Sequence, residues 1–237
     1  MVQRLEDAEL GDGEPMPCDV RLGVTLAIGP NRPNRYMAFG DSITVGDGSS
    51  DGSGYRDRLQ AALQSRLGQA QIVNEGIEGS RSNSGALRLP GVVASRRPAY
   101  TLILYGTNDW NECRGDVPCF TIESLRSMIL TAKGSSSLPV LATIIPANPA
   151  YPTLVPPERN VWVHAIDDLV RGLAREQDVP LADLEAQFLK QASLTALFAD
   201  HVHPNDDGYA LIEQEFLRAI TGPRSGTTSS FLLFGRR

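Results

Sequence analysis

Cysteine is scarce in this sequence: three residues in 237 cannot staple a disulfide scaffold, so a packed core must hold the fold. Lys and Arg number 22 against 28 Asp and Glu. The formal net charge of -6 offers no basic face for a polyanion, so nucleic-acid binding is disfavoured. No apolar run approaches the roughly 20 residues that cross a bilayer, and no transmembrane segment is expected. The opening "MVQRLEDAELGDGEP" has neither the basic start nor the apolar centre of a signal peptide. A soluble chain is expected, with its compartment open because a signal can be removed. Histidine is limited to three residues, which leaves few imidazoles for a metal.

What is present suits one globular domain: 41% hydrophobic and 21% charged residues, on a chain long enough for a sizeable core. Residues 1–34 are acidic, then rich in Pro and Asn, and read as an extension ahead of a main domain at 35–221. The tail 222–237, "GPRSGTTSSFLLFGRR", has a linker-like composition and is expected to be disordered. Cys113 and Cys119 flank "RGDVP", whose Gly and Pro could bring the sulfurs together. The spacing permits a bridge and does not decide it.

From residue 35 onward, short apolar runs alternate with helix-length segments. Strands are predicted at 35–40, 71–76, 101–106, 138–144 and 179–184. Tyr55, Leu59, Leu63 and Leu67 recur at helical spacing and predict a crossover helix. Further helices are expected from Thr121, as N-cap, to Gly134, and over 158–177, 185–197 and 206–219. Near-continuous apolar strands separated by helices predict a five-stranded parallel sheet in a three-layer α/β/α sandwich. Such sheets bind ligands beyond the carboxyl ends of their strands. Three of those ends carry unusual chemistry: "GDS" after the first strand, "NEGIEGS" after the second and "GTND" after the third.

A Gly-Asp-Ser turn alone is weak evidence, because turns favour these residues for backbone reasons. It is not the G-x-S-x-G elbow either, since Thr44 stands at the second glycine position. The block "FADHVHPNDDGYALI" changes the balance by placing Asp200 and His203 three residues apart before a predicted helix. A carboxylate at that spacing can hold the imidazole Nδ1 proton, leaving Nε2 to take one from Ser42. Fixed donors for a substrate oxyanion are available at the same sheet edge. They are the Ser42 N–H, the Gly79 N–H and the Asn108 side-chain amide, with Gly76 as a competitor for the glycine.

"FGDSIT", "NEGIEG", "YGTND" and "DHVHPN" resemble, in order, the four sequence blocks of the SGNH (GDSL-type) hydrolases. That resemblance spans about residues 35–220 and implies a flavodoxin-like sheet and a serine ester hydrolase working through an acyl-enzyme on small-molecule esters. It assigns Ser42 as nucleophile, His203 and Asp200 as base and orienter, and Ser42, Gly79 and Asn108 as the oxyanion hole. In similar sequences the glycine ends the block that begins at Asn74, which favours Gly79 over Gly76. Short acyl or acetyl esters are the expected substrates. Carbohydrate acetylesterase, lysophospholipase and thioesterase activities are the alternatives within the family. No cofactor is implied. "IIPANP" resembles the Pro-rich stretch that borders the substrate groove.

Competing readings attach to particular residues. Asp109 and Asp41 are expected to brace loops, because a carboxylate facing the oxyanion would repel it. His164 is expected to face water, opposite a stripe of Trp162, Ile166, Leu169 and Leu173. His201 forms His-x-His with His203 beside Asp200, a possible metal pair, but no further ligand has a convincing context. A non-catalytic glycan- or acyl-binding module on the same fold is the rival of a different class. Retention of both Ser42 and His203 counts against it.

Overall fold

The computed structural model describes residues 28–222. Of the expected extension 1–34, only residues 28–34 are described: Ile28 is buried and Arg32–Asn34 belong to the first strand, so the sheet starts ahead of residue 35, while the rest of the extension and the tail after 222 lie outside the described residues. The sheet is built from β1 (Arg32–Gly40), β2 (Gln71–Gly76), β3 (Pro98–Leu104), β4 (Leu138–Ala142) and β5 (Leu181–Ala182). All neighbours are parallel, in the order β2-β1-β3-β4-β5. Nine helical segments occur among the described residues. They are α1 (Ser42–Val45), α2 (Arg56–Leu67), α3 (Ser82–Arg96), α4 (Trp110–Cys113), α5 (Thr121–Gly134), α6 (Pro157–Glu176), α7 (Leu184–Leu189), a 3-10 turn at Thr195–Leu197 and α8 (Asp206–Thr221).

Alternation along β1 shows why the sandwich has three layers. Tyr36 and Ala38 face one core with Leu59 and Leu63 of α2, Phe188 of α7, and Tyr209, Ile212 and Phe216 of α8. Met37 and Phe39 face the other, with Leu89 and Val93 of α3, Leu125 and Met128 of α5, and Trp162 and Ile166 of α6. Successive strand side chains point to opposite faces, so a strand covered on both faces must be apolar throughout. Truncating Leu63 or Phe39, both fully buried, would cost about 2 to 5 kcal/mol in lost burial and cavity.

The helices depart from expectation at identifiable points. α3 is a helix not among those expected from the sequence: Gly85, Pro90 and Gly91 interrupt it, yet packing of Leu89 and Val93 secures it. Gly85 is there for close approach: a Cβ would lie 2.7 Å from the Tyr105 ring. α5 is capped by Phe120 rather than Thr121, whose hydroxyl serves Asp109 instead. The helix expected over 185–197 stops at Leu189. In α6, Leu169 is exposed and Val170 takes its place in the stripe.

Candidate active site

β1 ends at Gly40, where a Cβ would lie 2.1 Å from Thr44 Oγ1 and 2.4 Å from the Leu104 carbonyl oxygen. Only glycine leaves room there for Thr44 of α1 and the end of β3 to close against the strand end. Asp41 caps that helix, its Oδ1 accepting from Ile43 N at 3.0 Å, and Ser42 follows as the first helical residue. The next loop reaches across the sheet edge. At Gly48 (φ 92°) a Cβ would lie 3.0 Å from the His203 Cβ, and the Tyr209 hydroxyl donates to the Asp47 carbonyl at 2.8 Å. The serine loop and the histidine turn are thereby packed on one another.

The histidine is held by its own turn. Asp200 Oδ1 accepts from the backbone N–H groups of Val202 and His203, both at 2.8 Å. Asp200 Oδ2 lies 2.7 Å from His203 Nδ1, and His203 Nε2 lies 2.9 Å from Ser42 Oγ. An ionised carboxylate can only accept, so Nδ1 carries the ring proton and Nε2 faces the serine hydroxyl as acceptor. Burial by itself would raise the Asp200 carboxyl. The bonds from the His203 ring and the two backbone amides outweigh it and hold the group below the ordinary carboxylate range.

The segments that carry the other expected donors pack against the serine turn: a Cβ on Gly76 would lie 2.8 Å from the Asp41 carbonyl oxygen, and Asn108 reaches both Asp41 and Ser80. Among the described residues nothing accepts from the Ser42 or Gly79 backbone N–H. Gly79 has φ 66°, and a Cβ there would meet nothing within 4 Å. Gly76 differs: a Cβ would lie 2.6 Å from Val45 N, so this glycine packs β2 against α1 and leaves no room for a ligand. Asn108 Nδ2 donates to the Ser80 carbonyl at 3.1 Å and, at the long distance of 3.4 Å, to Asp41 Oδ2. Burial raises Asp41 to about 7, while the Ile43 N–H and His203 pull it down.

Asp109, fully buried, accepts from Ser82 N (2.9 Å), Ser82 Oγ (2.6 Å) and Thr121 Oγ1 (2.7 Å). It ties the loop carrying Asn108 to α3 and α5, the bracing role expected of it. Burial raises its carboxyl above the ordinary range despite these donors. Cys113 and Cys119 are bridged, with Cα atoms 5.8 Å apart, which closes the segment after α4. Trp162 Nε1 pins that segment through the Asp116 carbonyl at 2.7 Å.

His164 faces water, its Nδ1 3.0 Å from Glu185 Oε1. His201 Nδ1 is 3.7 Å from Asp200 Oδ1; burial lowers its pKa and Asp200 opposes that. His203 has both ring nitrogens engaged by Asp200 and Ser42. Among the described residues no three His, Cys, Asp or Glu side chains gather at metal-ligand distances.

Asn148 was invisible to sequence reasoning as a site residue. Its side chain donates to the Asp200 carbonyl at 3.0 Å, and its N–H donates to the His201 carbonyl at 2.9 Å. It therefore clamps the turn that carries the acid and base, and its only sequence signal was its place in "IIPANP".

Residues 38–211 match the GDSL-like lipase/acylhydrolase family. A relative in Escherichia coli, thioesterase 1/protease 1/lysophospholipase L1, is 29% identical over 80% of this chain and 84% of its own length. Esterase TesA of Pseudomonas aeruginosa is 32% identical over 54% of this chain and 63% of its own. Among solved structures, a lipase/acylhydrolase from Enterococcus faecalis superposes with TM-score 0.67 at 23% identity, covering 79% of this chain and 95% of that one. An acetylxylan esterase from Geobacillus stearothermophilus does so with TM-score 0.64 at 24% identity, covering 80% and 95%. With the four sequence blocks meeting at one end of a five-stranded parallel sheet, and the family match running over most of the chain, this protein belongs to the GDSL-type, or SGNH, hydrolases and is an enzyme of the esterase/lipase class.

Proposed function

We propose that the protein hydrolyses carboxylic esters, short acyl or acetyl esters in the first instance, through an acyl-enzyme on Ser42. The observation that carries this reading is the continuous relay from Ser42 Oγ through His203 to Asp200, at 2.9 and 2.7 Å. As Ser42 Oγ bonds to the ester carbonyl carbon, its proton passes to His203 Nε2, and Asp200 stabilises the imidazolium. The carbonyl oxygen becomes an oxyanion held by the Ser42 N–H, the Gly79 N–H and the Asn108 amide. Collapse breaks the bond to the leaving oxygen, which takes the proton from His203. Water then repeats the cycle and releases the acid. A thioester would follow the same path with a thiolate leaving, in keeping with the name of the Escherichia coli relative.

Commitment of both His203 nitrogens favours this reading over a His201/His203 metal site. A binding module would have no use for the relay. An organophosphonate should label Ser42 at one equivalent and abolish hydrolysis of a short-chain nitrophenyl ester, and Ser42→Ala should stay folded and lose both. Labelling elsewhere, or full activity in the variant, would sink the assignment.

A further inference from the structure

Arg159, in the first turn of α6, is only 5% exposed, yet no carboxylate among the described residues pairs with it. Buried guanidinium groups are ordinarily ion-paired, because removing an unpaired charge from water is strongly unfavourable. Arg171 of the same helix obeys the rule, with Asp183 and Glu185 oxygens both at 2.7 Å. Arg159 has no ion pair among the described residues. It donates one hydrogen bond, from Nη2 to the Thr107 carbonyl at 3.2 Å. Its other N–H groups have no partner among the described residues and are not sealed from solvent. Burial, and then the like charge of Arg114, push it down to about 10.

Its location gives the missing partner a meaning. Thr107 immediately precedes Asn108. Asn160, next to Arg159, holds Ala147 through both its backbone groups at 2.8 and 2.9 Å, and Asn148 beyond it clamps Asp200 and His201. Arg159 is also near enough to His201 to lower its pKa. The guanidinium thus sits where the loops carrying Asn108 and the acid-base turn converge, at the positive end of a 20-residue helix that itself favours an anion.

We propose that Arg159 receives an anionic oxygen group of the substrate, a carboxylate or a phosphate carried beside the scissile ester. The inference rests on Ser42 being the acyl acceptor. Discrimination then comes from pairing a buried cation that is otherwise uncompensated: an ester lacking the anion leaves it unpaired, and one bearing it gains charge-assisted, two-pronged hydrogen bonds.

Two matched pairs test this: mono-4-nitrophenyl succinate against its methyl ester, and 1-butanoylglycerol 3-phosphate against 1-butanoylglycerol. The wild type should prefer the anionic member of at least one pair by about 10- to 100-fold in kcat/KM, carried mainly by KM. Which pair shows it separates a carboxylate from a phosphate. Arg159→Gln should collapse the ratio towards one, and Arg159→Lys should restore part of it. No preference in either pair, a preference that survives Arg159→Gln, or anionic and neutral rates falling together in a folded variant would overturn the proposal. Should the Gln variant not fold, wild-type crystals soaked in succinate and in glycerol 3-phosphate decide: an anion on the free N–H groups of Arg159 supports it, and anions only elsewhere refute it. Hydrolysis of neither neutral ester, with Ser42 unlabelled by the phosphonate, is a different failure, that of the catalytic reading.

Discussion

Replacing Asn108 by alanine separates two roles that turn residues easily confuse. The side chain makes two resting contacts, one ordinary at 3.1 Å to Ser80 and one long at 3.4 Å to Asp41. Their loss should cost about 1 kcal/mol of stability, which for a chain of this size lowers the Tm by about 2 to 4 °C. As an oxyanion donor, the amide would bind the transition state better than the ground-state carbonyl. Its removal should then lower kcat and kcat/KM together by roughly 100- to 1000-fold, or about 2.7 to 4 kcal/mol, with KM little changed. The two magnitudes differ enough to be read on one sample. Melting temperature and kcat per phosphonate-titrated site on a nitrophenyl ester should be measured together. A variant that melts well below the wild type but turns over at a near-native rate would take Asn108 out of the mechanism.

Asp109→Ala should show the opposite balance of effects. It leaves a buried N–H and two hydroxyls without their acceptor, so denaturant titration should show a loss of about 2 to 5 kcal/mol; a loss under about 1 kcal/mol would remove its bracing role. Asp41 is raised by burial from an ordinary 3.8 to about 7, so the stability linked to its protonated form is complete below the ordinary value and is lost as pH rises through about 7. At about 1.4 kcal/mol per pH unit, the wild type should therefore fall relative to Asp41→Asn by about 3 kcal/mol between about pH 5 and 8, and a stability difference flat across that range would refute the shift. Reducing the Cys113–Cys119 bridge should cost about 2 kcal/mol through the freed loop. Both cysteines alkylating without reductant in non-reducing mass spectrometry would show that no bridge forms.

Where reading the sequence failed, a long-range contact had overruled a local preference. Gly85 and Pro90 are poor helix residues, but Leu89 and Val93 bury against the sheet and the helix forms around them. Thr121 looks like an N-cap, but the buried Asp109 needed its hydroxyl more than the helix end did. The helix expected over 185–197 was cut short because Phe188 packs against Phe198 of the returning chain, at 5.7 Å between ring centres.

The alternating apolar runs by themselves determined a parallel, doubly covered sheet, because burial on both faces leaves its mark on every strand residue. The Asp200–His203 spacing likewise determined that one turn of chain could pair acid and base, since three residues of backbone reach no further. Only tertiary structure decided that His203 Nε2 meets a serine 161 positions away, that Gly76 packs while Gly79 stays open, that the two cysteines bridge, and that Arg159 is buried with no counter-charge among the described residues. These outcomes depend on strand order and on how loops from different crossovers meet at one sheet edge. A residue's own neighbours in sequence do not encode what the rest of the chain will bring to it or withhold.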